Sequence, residues 1–174
     1  MLPMKHLHTK FISRSDAEKI SADPAYYIKF GVVPADTKVA LLSFVSPDGF
    51  GGSEVTDPKL DAYWHHVFKQ RFHDIDPTNC SSAFVNQYQS FTHEQAEALI
   101  EFLICIEADV DEVWAHCEAG ISRSAAASKY IAYAYGSYFP ETYSLYNKHV
   151  FTTLVRAHNT RAYDDLPYPG KIHG

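Results

Sequence analysis

One segment in the second half of the chain limits what this protein can fold into. A short apolar strand, Val113–His116, leads into a tight loop at residues 117–123, the Cys117 loop, which holds a single glycine. Ser124 then starts an alanine-rich helix that is predicted from 125 to about 138, with Gly136 near its end. A buried strand that turns directly into a helix is typical of α/β domains, so the segment predicts that class of fold.

The rest of the chain adds further strands and helices in alternation. Thr92 and Gln95 form a capping-box pattern at a helix start, and Asn159 opens a tail that is rich in turn-forming residues. The predicted elements are strands at 39–45 and 67–73, a short helix near 58–64, and helices at 93–108 and 141–157. We therefore expect a single domain over residues 1–174, folded as a three-layer α/β sandwich whose central, mostly parallel sheet is flanked by helices.

Composition argues against several classes of protein. The 174 residues are 46% hydrophobic, which is too apolar for intrinsic disorder. No apolar run approaches the roughly 18 residues of a membrane span. The 21 acidic residues exceed the 15 lysines and arginines and give a net charge of −6, which disfavours electrostatic binding to nucleic acid or anionic lipid. We therefore expect neither nucleic acid nor a membrane as a partner.

The cysteines and the first residues of the chain predict the cellular compartment. Cys80, Cys105 and Cys117 make an odd number of thiols. Residues 1–10 lack the apolar stretch of a secretory signal peptide. We therefore expect reduced thiols and a cytoplasmic location.

The Cys117 loop carries groups that suit phosphate chemistry. Backbone N–H groups in such a loop, together with the N-terminus of the following helix, form an anion site. Arg123 adds a planar, two-pronged donor that matches phosphate oxygens, and Gly120 removes a Cβ where the loop must curl. The same positive field should lower the pKa of the Cys117 thiol. A helix dipole is worth only about 0.3–1 kcal/mol, so we expect the loop amides and Arg123 to supply most of that shift.

A family resemblance rests on the pattern His-Cys-x5-Arg-Ser, which runs as His116-Cys117-Glu118-Ala119-Gly120-Ile121-Ser122-Arg123-Ser124. It resembles the signature loop of the cysteine-based protein tyrosine phosphatases, above all the compact dual-specificity branch and its small bacterial and phage-type relatives. Low-molecular-weight phosphatases carry their loop near the N-terminus, and phosphoinositide-specific members tend to have lysines in it, where this chain has Glu118. The resemblance is strongest from about 66 to 135.

The resemblance implies a two-step reaction that needs no metal and no cofactor. The Cys117 thiolate attacks phosphorus and forms a cysteinyl-phosphate, Ser124 helps the sulfur to leave in the second step, and His116 supports the loop from behind. The residues implied to bind the phosphate are Glu118, Ala119, Gly120, Ile121, Ser122 and Arg123.

The family's general acid should lie on a loop that follows a strand upstream of the Cys117 loop. Asp74 is the preferred candidate because it matches the family position after an aromatic-His pair. Asp76 is the alternative acid, although it precedes Pro77 and also fits a turn-forming role. His73 is a third candidate that would replace or assist the acid. Residues 78–90 are interpreted as an insertion after this loop.

The expected function is therefore a tyrosine or dual-specificity protein phosphatase that hydrolyses a phosphorylated protein or a small phosphoester. Two alternatives stay open: a phosphatase of a nucleotide, an RNA 5′ end or an inositol phosphate, and a module that binds phosphate without turnover. Cys80 is a candidate for a reversible disulfide with Cys117. His65 and His66 are not expected to form a metal site, because adjacent residues point apart.

Overall fold

The computed structural model describes residues 6–49 and 52–164, with side chains up to residue 161. Within these residues, the strands are β1 (His8–Ser13), β2 (Val39–Val45), β3 (His66–Arg71) and β4 (Glu112–Cys117). The helices are α1 (Arg14–Ala22), α2 (Pro24–Lys29), α3 (Ser82–Val85), α4 (His93–Ile106), α5 (Arg123–Tyr135) and α6 (Lys148–Asp164). The strands form one sheet in the order β1-β4-β2-β3, and all neighbours are parallel. None of the described helices has the length and apolar character needed to cross a membrane.

The sheet separates two apolar layers, and β2 contributes to both. Ala40, Leu42 and Phe44 face α4, α5 and α6 on one side of the sheet. Val39 and Leu41 face α1 on the other side. Every residue of β2 is buried, as is usual for a central strand of a parallel sheet. The predicted three-layer α/β architecture is therefore confirmed.

The helix predicted near 58–64 is wrong. Tyr63 has a φ of 74°, which lies in the left-handed region and cannot belong to a right-handed helix. The neighbouring Trp64 packs edge-on against Trp114 of β4, with 5.9 Å between ring centroids. The apolar residues of this segment therefore cover one face of the sheet without forming a helix.

The last helix starts and ends later than predicted. Asn147 Oδ1 accepts a hydrogen bond from Val150 N at 3.0 Å, so this residue caps α6 and fixes its start at Lys148 instead of near 141. The helix then continues to Asp164, so the turn-rich tail predicted from Asn159 is wrong for residues 159–164, and its remainder lies outside the described residues. Leu154 anchors this helix in the core.

The first strand and the first helix had no counterpart among the predicted elements. β1 lies at one end of the sheet and is partly exposed, so its sequence has no continuous apolar run. Ser13 ends β1 and caps α1 by accepting a hydrogen bond from Asp16 N at 3.1 Å. Chain ends of this mixed pattern give little periodic signal, although the cap itself is a recognisable helix start.

All four strands end at the same edge of the sheet because they are parallel. Ser13, Val45, Arg71 and Cys117 are their last residues. Ligands of open parallel sheets bind outside the carboxyl ends of the strands. The loops that follow these residues therefore form the place to look for a functional site.

Candidate active site

Cys117 stands where β4 enters the Cys117 loop. Its side chain is only 2% exposed. The Sγ atom lies 3.2 Å from Ser124 Oγ in the first turn of α5. The backbone N–H groups of Ile121 and Ser124 also act on the sulfur and lower its pKa. The strand, the loop and the helix thus all place donors around one sulfur atom.

The pKa of the Cys117 thiol is lower than its ordinary value. Burial is the largest influence and raises the pKa, but the hydroxyl and then the amide of Ser124 lower it, followed by the charge of Arg123 and the amide of Ile121. The combined donors outweigh burial and favour the thiolate. Ser124 therefore contributes more than Arg123, whereas the sequence led us to expect Arg123 and the loop amides to supply most of the shift.

The carbonyl groups of the Cys117 loop are bound from outside the loop. They form the hydrogen bonds Arg14 N to Glu118 O (3.2 Å), Tyr143 Oη to Ile121 O (2.7 Å), and Ala126 N and Asn147 N to Ser122 O (3.0 and 3.1 Å). In a trans peptide the N–H of the next residue points away from the carbonyl. The amides of Ala119, Ser122 and Arg123 are thereby turned away from these outer partners, as an anion site requires.

The Cys117 loop packs against the end of β1 at Gly120. Gly120 has a φ of 68°, and a Cβ at this position would lie 2.4 Å from both Ile12 C and Ser13 N. These are backbone atoms at the end of β1, which cannot move aside cheaply. Only glycine fits both the conformation and the space.

Arg123 is buried, with 4% of its surface exposed. Its Nη1 donates to Phe72 O at 2.7 Å and to Ser46 Oγ at 3.2 Å, which ties the guanidinium to the ends of β3 and β2. Its Nε is buried and has no hydrogen-bond partner among the described residues. An unsatisfied buried donor costs about 1–3 kcal/mol, so this atom is a candidate donor to a bound oxyanion.

His116 lies behind the Cys117 loop, on the face of the sheet that carries α1. It is fully buried, and its Nε2 is 2.8 Å from Ser43 Oγ on the neighbouring β2. Burial lowers the pKa of His116 to about 4, and the neighbouring Cys117 backbone partly offsets this effect. The imidazole is therefore neutral near pH 7. It is held by its hydrogen bond to Ser43, while its buried Nδ1 has no hydrogen-bond partner among the described residues.

Asp74 lies against the Cys117 loop, three residues after the end of β3. Its Oδ1 accepts hydrogen bonds from Ser122 Oγ at 2.7 Å and from Asn147 Nδ2 at 2.8 Å. Asn147 also donates to Ile75 O at 3.2 Å. The carboxylate is exposed but held by donors from two separate elements, so it is oriented at the rim of the site.

The structure gives the two other acid candidates different roles. Asp76 Oδ1 accepts from Thr78 N at 3.0 Å and from Thr78 Oγ1 at 2.6 Å, and the Thr78 hydroxyl is the main reason that the pKa of Asp76 is lowered. His73 has both ring nitrogens engaged: Nε2 lies 2.7 Å from Asp48 Oδ1, and Nδ1 accepts from Gln89 N at 2.9 Å. Asp76 therefore stabilises a turn, and His73 joins the loops around the site.

A cavity of about 860 Å³ opens at the carboxyl edge of the sheet beside Glu118 and Asp74, and neither Cys117 nor Arg123 is part of its lining. Its lining includes the aromatic rings of Phe84 and Tyr88 from the segment interpreted as an insertion. The charged side chains in the lining are Arg14, Asp48, Glu54, Asp74 and Glu118. The cavity thus combines aromatic walls with an excess of carboxylates.

Sequence reasoning missed Asn147, and it named Ser122 only as a phosphate-binding residue of the loop. The structure shows that both side chains donate to Asp74. Asparagine is a favoured helix cap, and this signal was available at position 147. It was missed because the helix was predicted to begin earlier. The contact between Ser122 and Asp74 spans 48 residues and has no local sequence signal.

Comparison of the chain with protein-family models, curated proteins and solved structures gave no match. The functional interpretation therefore depends on the residues of the site and their geometry.

Proposed function

We propose that this protein is a cysteine-dependent phosphoric monoester hydrolase of the protein tyrosine phosphatase type. The observation that carries the proposal is the buried Cys117 thiol, whose pKa is lowered by Ser124 and Arg123 at the start of a helix. A thiolate next to inward-turned amides and a guanidinium is suited to attack phosphorus, because the same donors stabilise the nucleophile and bind the phosphate.

In the first step, the Cys117 thiolate attacks phosphorus, a sulfur–phosphorus bond forms, and the bond from phosphorus to the leaving oxygen breaks. Arg123 and the loop amides bind the equatorial oxygens of the phosphate. Asp74 gives its proton to the leaving oxygen, so the alcohol or phenol departs neutral. The hydrogen bonds from Ser122 and Asn147 aim the carboxyl group for this transfer.

In the second step, water attacks the cysteinyl-phosphate while the Asp74 carboxylate takes a proton from it. The sulfur–phosphorus bond breaks and inorganic phosphate leaves. Ser124 Oγ, which lies 3.2 Å from Sγ, donates a hydrogen bond to the departing thiolate. The enzyme returns to its initial state with Asp74 protonated and Cys117 ionised.

The cavity beside the loop favours phosphotyrosine over polyphosphates. Phe84 and Tyr88 offer aromatic surface for a phenyl ring. Asp48, Glu54 and Glu118 would repel the additional phosphates of a nucleotide, an RNA end or an inositol polyphosphate. A phosphorylated tyrosine side chain carries one dianion on an apolar ring and meets both conditions.

The first test is hydrolysis of para-nitrophenyl phosphate by the wild-type protein and by Cys117→Ser. We expect turnover only in the wild type, together with a phosphorylated cysteine that is trapped by rapid acid quenching. A panel of phosphotyrosine and phosphoserine peptides and nucleotides then ranks the substrates, with Cys117→Ser as the control.

Two outcomes would contradict the proposal. If Cys117→Ser keeps full turnover, the nucleophile is wrong. If the wild type binds phosphotyrosine peptides but never hydrolyses them, and Cys117→Ser binds equally well, the protein is a binding module.

A further inference from the structure

Three potential metal ligands meet at the end of the sheet opposite the Cys117 loop. His65 Nε2 lies 2.9 Å from Asp109 Oδ2, and His66 Nε2 lies 2.8 Å from the same oxygen. The three ligand atoms all lie within 4.8 Å of one another. None of these residues takes part in the proposed phosphatase chemistry.

The expectation that adjacent histidines point apart is not met here. His66 is the first residue of β3 and pairs with Ala40 of β2. His65 precedes the strand at a bend, where the alternation of strand side chains does not apply, while its N–H still donates to Val39 O at 2.8 Å. The two rings contact edge to face with 4.7 Å between centroids, and both Nε2 atoms reach one carboxylate.

Asp109 is oriented from its other side. It follows α4, and its N–H donates to Ile106 O at 2.8 Å. Lys38 Nζ donates to Asp109 Oδ1 at 2.8 Å, which leaves Oδ2 to the histidines.

We propose that His65, His66 and Asp109 bind one divalent transition-metal ion, represented by Zn²⁺, outside the active site. Two imidazole nitrogens and one carboxylate oxygen suit Zn²⁺, Ni²⁺ or Cu²⁺ better than Mg²⁺ or Ca²⁺, which prefer oxygen ligands only. Water completes the coordination. Each imidazole binds through the Nε2 lone pair and keeps its proton on Nδ1.

The geometry needs only a small adjustment to receive the ion. Donor atoms about 2.0–2.2 Å from a tetrahedral Zn²⁺ lie roughly 3.3 Å from one another. The observed separations of 2.9 and 2.8 Å therefore have to widen by about half an ångström, which small rotations of these exposed or half-buried side chains achieve. Lys38 keeps its hydrogen bond to Oδ1 and orients the ligand, although its positive charge weakens the attraction for a cation.

The bound ion would join the start of β3 to the turn between α4 and β4. Cys117 lies at the other end of β4, so the ion takes no part in the reaction of the thiolate. Its effect is on stability, because an ion that binds only the folded chain raises the free energy of unfolding. The metal site is therefore independent of the proposed phosphatase activity.

The test uses an untagged full-length chain with all three cysteines changed to serine, so that no thiolate binds the metal. Zn²⁺ and Mg²⁺ are titrated near neutral pH, with binding followed by calorimetry and stability followed by thermal unfolding. We expect one Zn²⁺ per chain, a higher unfolding temperature, and no effect of Mg²⁺. His65→Ala, His66→Ala and Asp109→Asn should each weaken binding by about tenfold or more.

Two further variants make the test specific. His93 is an exposed histidine whose Nε2 lies 3.5 Å from Glu97 Oε1, so His93→Ala is the matched control and should leave the affinity unchanged. Lys38→Gln keeps a donor for Oδ1 but removes the charge, and it should raise the affinity several-fold. The proposal is overturned if millimolar Zn²⁺ does not bind, or if the three ligand variants bind Zn²⁺ as tightly as His93→Ala.

Discussion

Asn147 donates from Nδ2 to Asp74 Oδ1 across 2.8 Å and thereby joins the start of α6 to the loop that follows β3. The same side chain accepts from Val150 N through its Oδ1. One buried amide thus caps a helix and orients the proposed general acid. The position of the acid depends on an element that lies far from it in sequence.

Asn147→Ser separates these two roles, because the serine hydroxyl keeps a helix-capping acceptor but cannot reach Asp74. We expect turnover of phenyl phosphate, which has a poor leaving group, to fall about tenfold, and turnover of para-nitrophenyl phosphate to fall less. Steady-state kinetics on both substrates measure the difference. Asn159→Ser, at an exposed position of α6, is the control. Equal rates for Asn147→Ser and wild type on phenyl phosphate would remove Asn147 from the mechanism.

Gly120 and Gly31 provide a matched pair, because both have a φ of 68° but only Gly120 is in close contact with backbone. Gly31→Ala should cost about 1 kcal/mol of stability, from the left-handed conformation alone. Gly120→Ala should also displace the Cys117 loop and lower kcat/KM by about 100-fold. Urea unfolding measures the loss of stability in both variants. Binding of tungstate, an oxyanion, reports whether the Cys117 loop is displaced. If Gly120→Ala binds tungstate normally, the loop does not need this contact.

The two aspartates should respond differently to replacement by asparagine. Asp74→Asn should lower kcat on phenyl phosphate by about 100-fold or more and abolish the dependence of the rate on a protonated acid. Asp76→Asn should leave kcat nearly unchanged but lower the unfolding temperature, because Asp76 accepts hydrogen bonds within its own turn. A series of phenols with increasing pKa as leaving groups distinguishes the variants. If the steep leaving-group dependence appears in Asp76→Asn instead, the assignment is reversed.

Ser124→Ala should raise the pKa of the Cys117 thiol more than Arg123→Ala does, since the Ser124 hydroxyl, which alanine lacks, precedes Arg123 in lowering it. The rate of iodoacetamide alkylation against pH reports this pKa directly. Ser124→Ala should also slow the second step, so that cysteinyl-phosphate accumulates and a burst of phenol precedes steady turnover. Ser122→Ala is the control for the thiol pKa alone, because the Ser122 hydroxyl donates to Asp74. A larger rise of the pKa in Arg123→Ala would contradict this order.

His116 should make the protein less stable in acid. Its pKa falls from 6.5 to about 4 on folding, so the unfolded chain binds more protons between these pH values. Stability is fully present above pH 6.5 and falls by about 3 kcal/mol as the pH drops to about 4. Urea unfolding of wild type and His116→Gln at both ends of this range should show the loss only in wild type. His93→Gln, at an exposed position, should behave like wild type.

The sequence predicted correctly those elements whose structure depends on neighbouring residues in the chain. The strand at 39–45, the capped helix at Thr92 and the strand, loop and helix around Cys117 have strong local patterns. The end of α5 at Gly136 was also visible, because its φ of 68° is a helix-ending conformation that glycine adopts easily.

Contacts between distant parts of the chain could not be read from the sequence. The support of Gly120 by Ile12 depends on β1, which gave no pattern of its own. The meeting of His65 and His66 at Asp109 depends on a bend before β3 and on the end of α4. These relationships arise only when the sheet has been assembled.

The contact of Gly120 with the backbone of Ile12 and Ser13 makes the edge strand β1 an integral part of the proposed catalytic machinery. Proteolytic trimming of β1, or tension applied to it by a fused domain, would leave the other three strands paired while the nucleophile loses its scaffold. Activity would then disappear well before the protein melts. A cut in β1 would thus inactivate a site whose nucleophile, Cys117, lies more than 100 residues later in the sequence.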